Sequence, residues 1–218
     1  MPTTTAARTT GTAASEVRAR LGALALLVAA LAGCGATSAP PRHAPARASP
    51  PPADQRATPA GFAWLRPAPA PRAWPLARLP SGAAALSYPR GWRPLAGDPG
   101  TRSAALVARD GTIAGYLNLT PRMGEERRRG WARFRLRHNA GEGNRDIVLV
   151  ASARRLRFRD GRGSCVIDRY RTGRHRYREI ACLVAGRRAT TVVVGAALPS
   201  QWAALGPPIE RAISSLET

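Results

Sequence analysis

Cysteines, histidines and one pair of carboxylates are the residues of this chain whose types and spacing could support chemistry. The chain has three cysteines and three histidines in 218 residues. His138 and His175 have no cysteine or acidic neighbour at the spacing of a metal site, so we expect no metal and no cofactor. Ser164-Cys165 lacks the flanking glycines of a nucleophile elbow, and we predict no catalytic residue.

Cys34 stands directly after an apolar run that follows basic residues. The run covers residues 21–32, and a signal peptide has about 7–15 apolar residues, whereas a membrane-spanning helix needs about 20. This order resembles the bacterial lipobox, whose cysteine receives diacylglycerol and palmitate. We therefore predict a signal peptide over residues 1–33 and a lipoprotein anchored by Cys34 at the extracytoplasmic face of the cell membrane. An ordinary signal peptide with an incidental cysteine, or an uncleaved anchor, is the alternative.

Cys165 and Cys182 are the other two cysteines, and export would remove them from the reducing cytosol. They lie in two predicted strands joined by Gly173-Arg174, which suits a two-residue hairpin turn. That register places the two cysteines directly opposite each other, about 4.5–5.5 Å apart at Cα, within the range of a disulfide. We predict a Cys165–Cys182 disulfide, with two buried free thiols as the alternative.

The same register places Asp168 opposite Glu179. Two close carboxyl groups could share a proton as an acid–base dyad, which would suit a hydrolase acting on cell-wall or lipid substrates. A salt cluster with Arg155 or Arg157 is the favoured interpretation of this pair. The salt-cluster interpretation favours a protein that is not an enzyme, and a hydrolase stays the alternative.

Every basic residue of the chain is an arginine, and the formal net charge is +21. The arginines concentrate in a predicted helix and in a following strand, and a field of that sign attracts polyanions. The favoured interpretation is a solvated face that reflects a GC-rich genome, and the alternative is a surface for an anionic lipid, a wall polymer or an envelope protein. Export removes the chain from nucleic acid. The residues of this predicted surface are Arg127, Arg128, Arg133, Arg137, Arg155 and Arg157.

Residues 34–73 form a predicted tether between the lipidated cysteine and a folded domain. Ten prolines and ten alanines lie between residues 39 and 72, a composition typical of an extended, disordered spacer. Phe62, Trp64 and Leu65 interrupt this composition and could dock on the domain. The predicted domain covers residues 74–218, which is enough for one core.

The domain begins with β-hairpins, continues with a helix over 125–139 and a meander of strands, and ends with a second helix. Arginines and apolar residues alternate over 155–159, which directs Leu156 and Phe158 towards the core of the domain. The last helix is expected in two pieces, 199–205 and 209–216, because Pro207-Pro208 should break it. This order predicts an α+β fold with a single antiparallel β-sheet packed against helices.

Two local patterns resemble the PsbP-like family, including actinobacterial lipoproteins of the LpqN type. One is residues 86–92, LSYPRGW, and the other is the closing segment 209–216, IERAISSL. The resemblance implies a PsbP-like sandwich over 74–218 and a non-catalytic role in binding or assembly, with no functional residue carried over. The sequence thus predicts a lipid-anchored envelope protein whose binding module is held off the membrane by a flexible tether. A secreted hydrolase is the alternative.

Overall fold

The structure is a computed structural model that describes residues 58–218. The predicted signal peptide, the lipidation site Cys34 and the tether up to residue 57 lie outside the described residues. Within residues 58–218, no helix is both long enough and apolar enough to cross a membrane.

The strands of the described chain form two antiparallel sheets. A small sheet pairs β1 (Leu76–Arg78) with β2 (Ala85–Ser87). The large sheet has the strand order β3-β4-β5-β9-β8-β7-β6, so β3 and β6 are its edges. The predicted α+β architecture is confirmed, although the expected single sheet is a large sheet with a separate hairpin. The strands of the large sheet are β3 (Arg93–Leu95), β4 (Arg102–Val107), β5 (Ile113–Pro121), β6 (Arg145–Arg157), β7 (Gly161–Arg171), β8 (Arg176–Gly186) and β9 (Thr190–Ala197).

One helix covers each face of the large sheet. The helix α1 (Trp131–Gly141) lies over β6 and β7, where Trp131 packs with Val166. The helix α2 (Trp202–Ser214) lies over β9 on the other face, in the main core. Consecutive strand residues point to opposite faces, so Cys165 belongs to the core under α2 and Val166 to the core under α1.

Both helices differ from the sequence prediction. Helix α1 begins at Trp131 rather than Glu125, because the carboxylate of Glu126 accepts hydrogen bonds from the backbone N–H groups of Met123 and Gly124 and holds a loop instead. Helix α2 is continuous through Pro207-Pro208. The carbonyl groups that these prolines leave unpaired belong to the exposed residues 203 and 204, where water can reach them.

The folded region also begins earlier than the predicted boundary at Trp74. Residues Ala60–Phe62 form a 3₁₀ turn, and Phe62 and Leu65 are buried in the main core. Trp64 packs against the same core. Two large buried side chains contribute several kcal/mol, which is enough to order a short proline-rich segment. Residues 59–73 therefore belong to the domain and not to the tether.

The hairpin of β7 and β8 has the predicted register. Cys165 and Cys182 are directly paired, their Cα atoms are 4.1 Å apart, and the two sulfur atoms form a disulfide. Leu156 and Phe158 are buried, as the alternation predicted. The disulfide joins the two strands that also carry Asp168 and Glu179.

Candidate functional site

A groove of about 880 Å³ opens beside the edge strand β6. We call it the arginine groove. One wall is the segment from Thr58 to Pro69, and the other is the end of β6 with the turn that follows. The first wall contributes Thr58, Pro59, Leu65, Pro67, Ala68 and Pro69, and the second contributes residues 154–159 and Arg162.

The proline-rich wall is fixed to the rest of the domain. Arg211 of α2 donates a hydrogen bond to the carbonyl of Pro69, and the backbone N–H of Ala68 donates to the carbonyl of Ser214 at 3.4 Å. Leu65 anchors the same wall in the core. Because proline has no N–H group, Pro59, Pro67 and Pro69 present apolar rings without a backbone donor for an anion.

A β-bulge shapes the arginine wall. Ala153 pairs with Cys165 and Leu156 pairs with Gly163, so two residues of β6 oppose one residue of β7. Arg155 sits in this bulge with a φ of 61°, in the left-handed region that a residue with a side chain seldom adopts. Bulges and left-handed residues are common beside functional sites, where they redirect a side chain.

Five arginines line this wall, and all five are exposed. Arg154, Arg155 and Arg157 make no ion pair and no side-chain hydrogen bond within residues 58–218. Arg159 differs, because its guanidinium pairs with Glu217 at 3.1 Å. The groove therefore presents three positive charges that the described part of the chain leaves without an acidic partner.

The predicted arginine surface is divided by the fold. Arg155 and Arg157 line the groove, whereas Arg128 lines a smaller depression of about 350 Å³ together with Arg154. The remaining predicted residues, Arg127, Arg133 and Arg137, are exposed and line neither cavity.

A second polar site is buried between α1 and the sheet. The guanidinium of Arg135 donates to both carboxylate oxygens of Glu179, at 2.6 and 2.8 Å. Glu179 is fully buried, and Asp168 is paired with it across the hairpin, as predicted. The expected partner was Arg155 or Arg157, and that prediction is wrong because both lie at the groove. We call Arg135, Glu179, Asp168 and Asn139 the buried cluster.

Asp168 has the fewest hydrogen bonds to its carboxyl oxygens in the buried cluster. Its Oδ2 accepts a long hydrogen bond of 3.4 Å from Asn139, and its buried Oδ1 has no partner. Burial raises the pKa of Asp168 to about 7, and the negative charge of Glu179 acts in the same direction. The Asp168 carboxyl therefore holds its proton up to about neutral pH.

Two tyrosines close the buried cluster on one side. The hydroxyl groups of Tyr116 and Tyr170 are 2.9 Å apart, and Tyr116 also donates to Glu179 at 3.3 Å. Burial, together with the charge of Glu179, raises the pKa of both tyrosines. Both hydroxyl groups therefore stay protonated, and they serve as hydrogen-bond partners rather than as bases.

The buried cluster has acid–base chemistry but lines neither cavity. Neither Asp168 nor Glu179 borders the arginine groove or the smaller depression. Both carboxyl groups are fully buried, and the hydrogen bonds that Arg135 and Asn139 donate to them fix α1 to the sheet. The indole Nε1 of Trp131 contributes to the same contact by donating to the carbonyl of Ala181 at 2.9 Å.

Sequence reasoning missed the role of Arg135. Trp131, Arg135 and Asn139 are spaced by four residues, which places them on one face of a helix. Trp131 and Asn139 are both buried. A prediction that started the helix at Trp131 would therefore have placed Arg135 on the face that packs against the sheet. Within residues 58–218, no group of three or more histidine, cysteine or acidic side chains could hold a metal ion.

Comparison with known proteins gives matches to solved structures. No family model matches the chain, and no curated protein matches it. The cyanobacterial PsbP protein CyanoP from Synechocystis sp. PCC 6803 is similar over 66% of this chain and 91% of its own, with 14% identity and a TM-score of 0.48. A point mutant of the protein Mog1 is similar over 66% of this chain and 95% of its own, with 10% identity and a TM-score of 0.45.

A third similar structure is a protein of unknown function from Pseudomonas aeruginosa. It shares 12% identity over 66% of this chain and 96% of its own, with a TM-score of 0.39. The PsbP-like fold that the sequence resembles is thus among the matches. At these identities the similarity concerns the fold alone.

Proposed function

We propose that this protein is a lipid-anchored, extracytoplasmic binding module that takes an anionic component of the cell envelope into its arginine groove. The observation that supports this most strongly is the groove itself, because Arg154, Arg155 and Arg157 line it and make no ion pair among the described residues. Guanidinium groups bind phosphate and carboxylate with paired hydrogen bonds. The partner is an anionic lipid, a wall polymer or an acidic envelope protein.

The anchoring part of the proposal is supported by the order of residues around Cys34 and by the disulfide. Disulfides persist in oxidising compartments, so the Cys165–Cys182 bond suits a chain that leaves the cytosol. Two or more acyl chains on one cysteine would anchor the protein stably. The proline-rich segment beyond the domain would then give the module reach from the bilayer.

Anchoring is tested by expressing the full chain in a bacterial host. We expect mass spectrometry to find an acylated peptide that begins at Cys34. The Cys34→Ala chain should lose both the acyl groups and the cleavage that follows acylation. A Cys34→Ala chain that stays in the membrane fraction at unchanged size would contradict a lipoprotein.

Binding is tested by capture from detergent-solubilised envelope with two charge-matched variants. The groove variant is Arg155→Ala/Arg157→Ala, and the helix variant is Arg133→Ala/Arg137→Ala. Both remove two exposed positive charges. We expect anionic material captured by the unchanged protein to be retained by the helix variant and lost by the groove variant. Equal loss in both variants would indicate general charge attraction and would contradict a role for the groove.

A further inference from the structure

We propose that the ligand of the arginine groove is an anionic lipid taken up as a single molecule, with its phosphate on the arginine wall and its apolar chain against the proline-rich wall. This inference rests on the proposed function and goes further by naming the class of ligand. It follows from the different chemistry of the two walls of one cavity.

The two walls favour different parts of one molecule. The arginine wall carries five arginines, and the guanidinium groups of Arg154, Arg155 and Arg157 make no ion pair in the described chain. Each of these three can donate several hydrogen bonds to phosphate. The opposite wall presents the rings of Pro59, Pro67 and Pro69, which lack backbone donors. A polyanion would contact the first wall and leave the second without favourable contacts, and a neutral lipid would do the reverse.

Apolar side chains continue between the two walls. Leu65 comes from the proline-rich wall, Leu156 from the end of β6 and Phe158 from the turn after it. All three border the groove at its floor, where each is more than nine-tenths buried in the core. An apolar chain lying there would cover carbon surface on both walls. The volume of about 880 Å³ lies within the range of small-molecule sites, about 300–1,000 Å³, and suits a single lipid molecule.

The groove is held open by contacts that do not involve the ligand. The wall from Thr58 to Pro69 is held to α2 through Arg211 and Ser214. Phe158 is buried against Gly163, where an added Cβ would lie only 2.7 Å from the phenyl ring. A preformed site binds without the loss of conformational entropy that accompanies ordering.

A flat anionic surface would use the arginines differently. The charged plane of a membrane or wall polymer attracts every exposed arginine, including Arg127, Arg133 and Arg137 outside the groove. A lipid bound one molecule at a time depends on the groove arginines and on the length of the chain. Chain length therefore separates the two modes of binding.

The test is calorimetric titration of the full chain carrying Cys34→Ala, which removes the protein's own acyl groups as competitors. The probes are inorganic phosphate and butyl, hexyl and octyl phosphate. We expect inorganic phosphate to bind weakly. Affinity should then rise roughly threefold to fourfold for each methylene group until the groove is filled. Adding Arg155→Ala/Arg157→Ala should weaken octyl phosphate binding about tenfold or more.

Two results would overturn the inference. If inorganic phosphate binds as tightly as octyl phosphate, the ligand is an anion without a chain; the proposed function then stands and the lipid does not. If octyl phosphate binds the groove variant as tightly as the unchanged protein, the lipid site lies elsewhere. The envelope capture with the two charge-matched variants is an independent readout, so failure of the lipid inference can be told apart from failure of the proposed function.

Discussion

The arginine groove and the buried cluster use the same residue type for opposite purposes. Arg135 in α1 is largely buried, with 11% of its side chain exposed, and donates to both oxygens of Glu179, whereas Arg155 and Arg157 in β6 are exposed and unpaired in the described chain. Burial makes an ion pair structural, since each charge needs the other. Exposure without a partner leaves a guanidinium available to a ligand. The environment of each arginine therefore determines its role, and the high arginine content alone does not.

The two arginine environments also occur within a single helix. Arg133 and Arg137 flank Arg135 in α1 and face solvent, while Arg135 faces the sheet. These neighbours are matched controls, because they share the helix, the residue type and the local charge. Substitutions at these positions change one environment at a time.

The largest expected effect is on the buried cluster. Arg135→Met keeps an unbranched side chain but leaves the carboxylate of Glu179 buried without its cation. Breaking a buried ion pair by removing one partner lowers the free energy of unfolding by about 3–5 kcal/mol. The same change at exposed Arg133 should cost less than about 0.5 kcal/mol. Urea denaturation of both variants measures the difference.

A second substitution makes this comparison more specific. Glu179→Gln in the Arg135→Met background removes the uncompensated charge and should recover part of the lost stability. If Arg135→Met is no more destabilising than Arg133→Met, Arg135 does not anchor α1, and the contrast between the two regions disappears.

The next effect is expected from Asp168, about 4 kcal/mol across the full pH range. Its pKa is raised to about 7 in the folded protein, above its ordinary value of about 3.9. The folded state therefore binds a proton that the unfolded chain has released. The contribution of Asp168 to the free energy of unfolding is therefore fully present below about pH 4 and is lost as the pH rises to about 7. Asp168→Asn should remove that loss.

The measurement is the free energy of unfolding at several pH values, taken as the difference between the unchanged protein and Asp168→Asn. We expect the variant to be more stable than the unchanged protein at pH 8, and this advantage to shrink towards pH 4. A difference that does not vary with pH would show that the buried carboxyl is ionised throughout.

The smallest effect is expected at Arg155, where stability and binding should change in opposite directions. Its φ of 61° favours glycine, so Arg155→Gly should stabilise the fold by about 1 kcal/mol. The same change removes a groove guanidinium and should weaken octyl phosphate binding. Thermal unfolding and calorimetry on the same sample test both statements. A variant that loses stability as well would mean that Arg155 supports the bulge rather than the ligand.

Local signals predicted part of this structure from sequence. The Gly173-Arg174 turn set the register of one hairpin, and with it the Cys165–Cys182 disulfide and the opposed Asp168 and Glu179. The alternation of apolar and basic residues over 155–159 identified Leu156 and Phe158 as core residues. These features depend on residues that are close in sequence or joined by one short turn.

Long-range packing decided the rest. Arg135 and Glu179 are 44 positions apart in the sequence, and no local pattern predicts that they pair. The core fixes Phe62 and Leu65 although prolines surround them, and α2 passes through Pro207-Pro208 because its apolar face packs on the sheet. The groove joins segments about 90 positions apart, so sequence could identify its arginines but not its proline-rich wall.

Affinity for octyl phosphate, compared between the groove variant and the helix variant in the same buffer, tests the central claim most directly. Both variants lose two exposed positive charges, so their net charges are equal. We predict that the groove variant, Arg155→Ala/Arg157→Ala, binds about tenfold or more weakly than the unchanged protein. The helix variant, Arg133→Ala/Arg137→Ala, should stay within about twofold of it. Equal weakening of the two variants would show that the arginines act through overall charge and would contradict a dedicated groove.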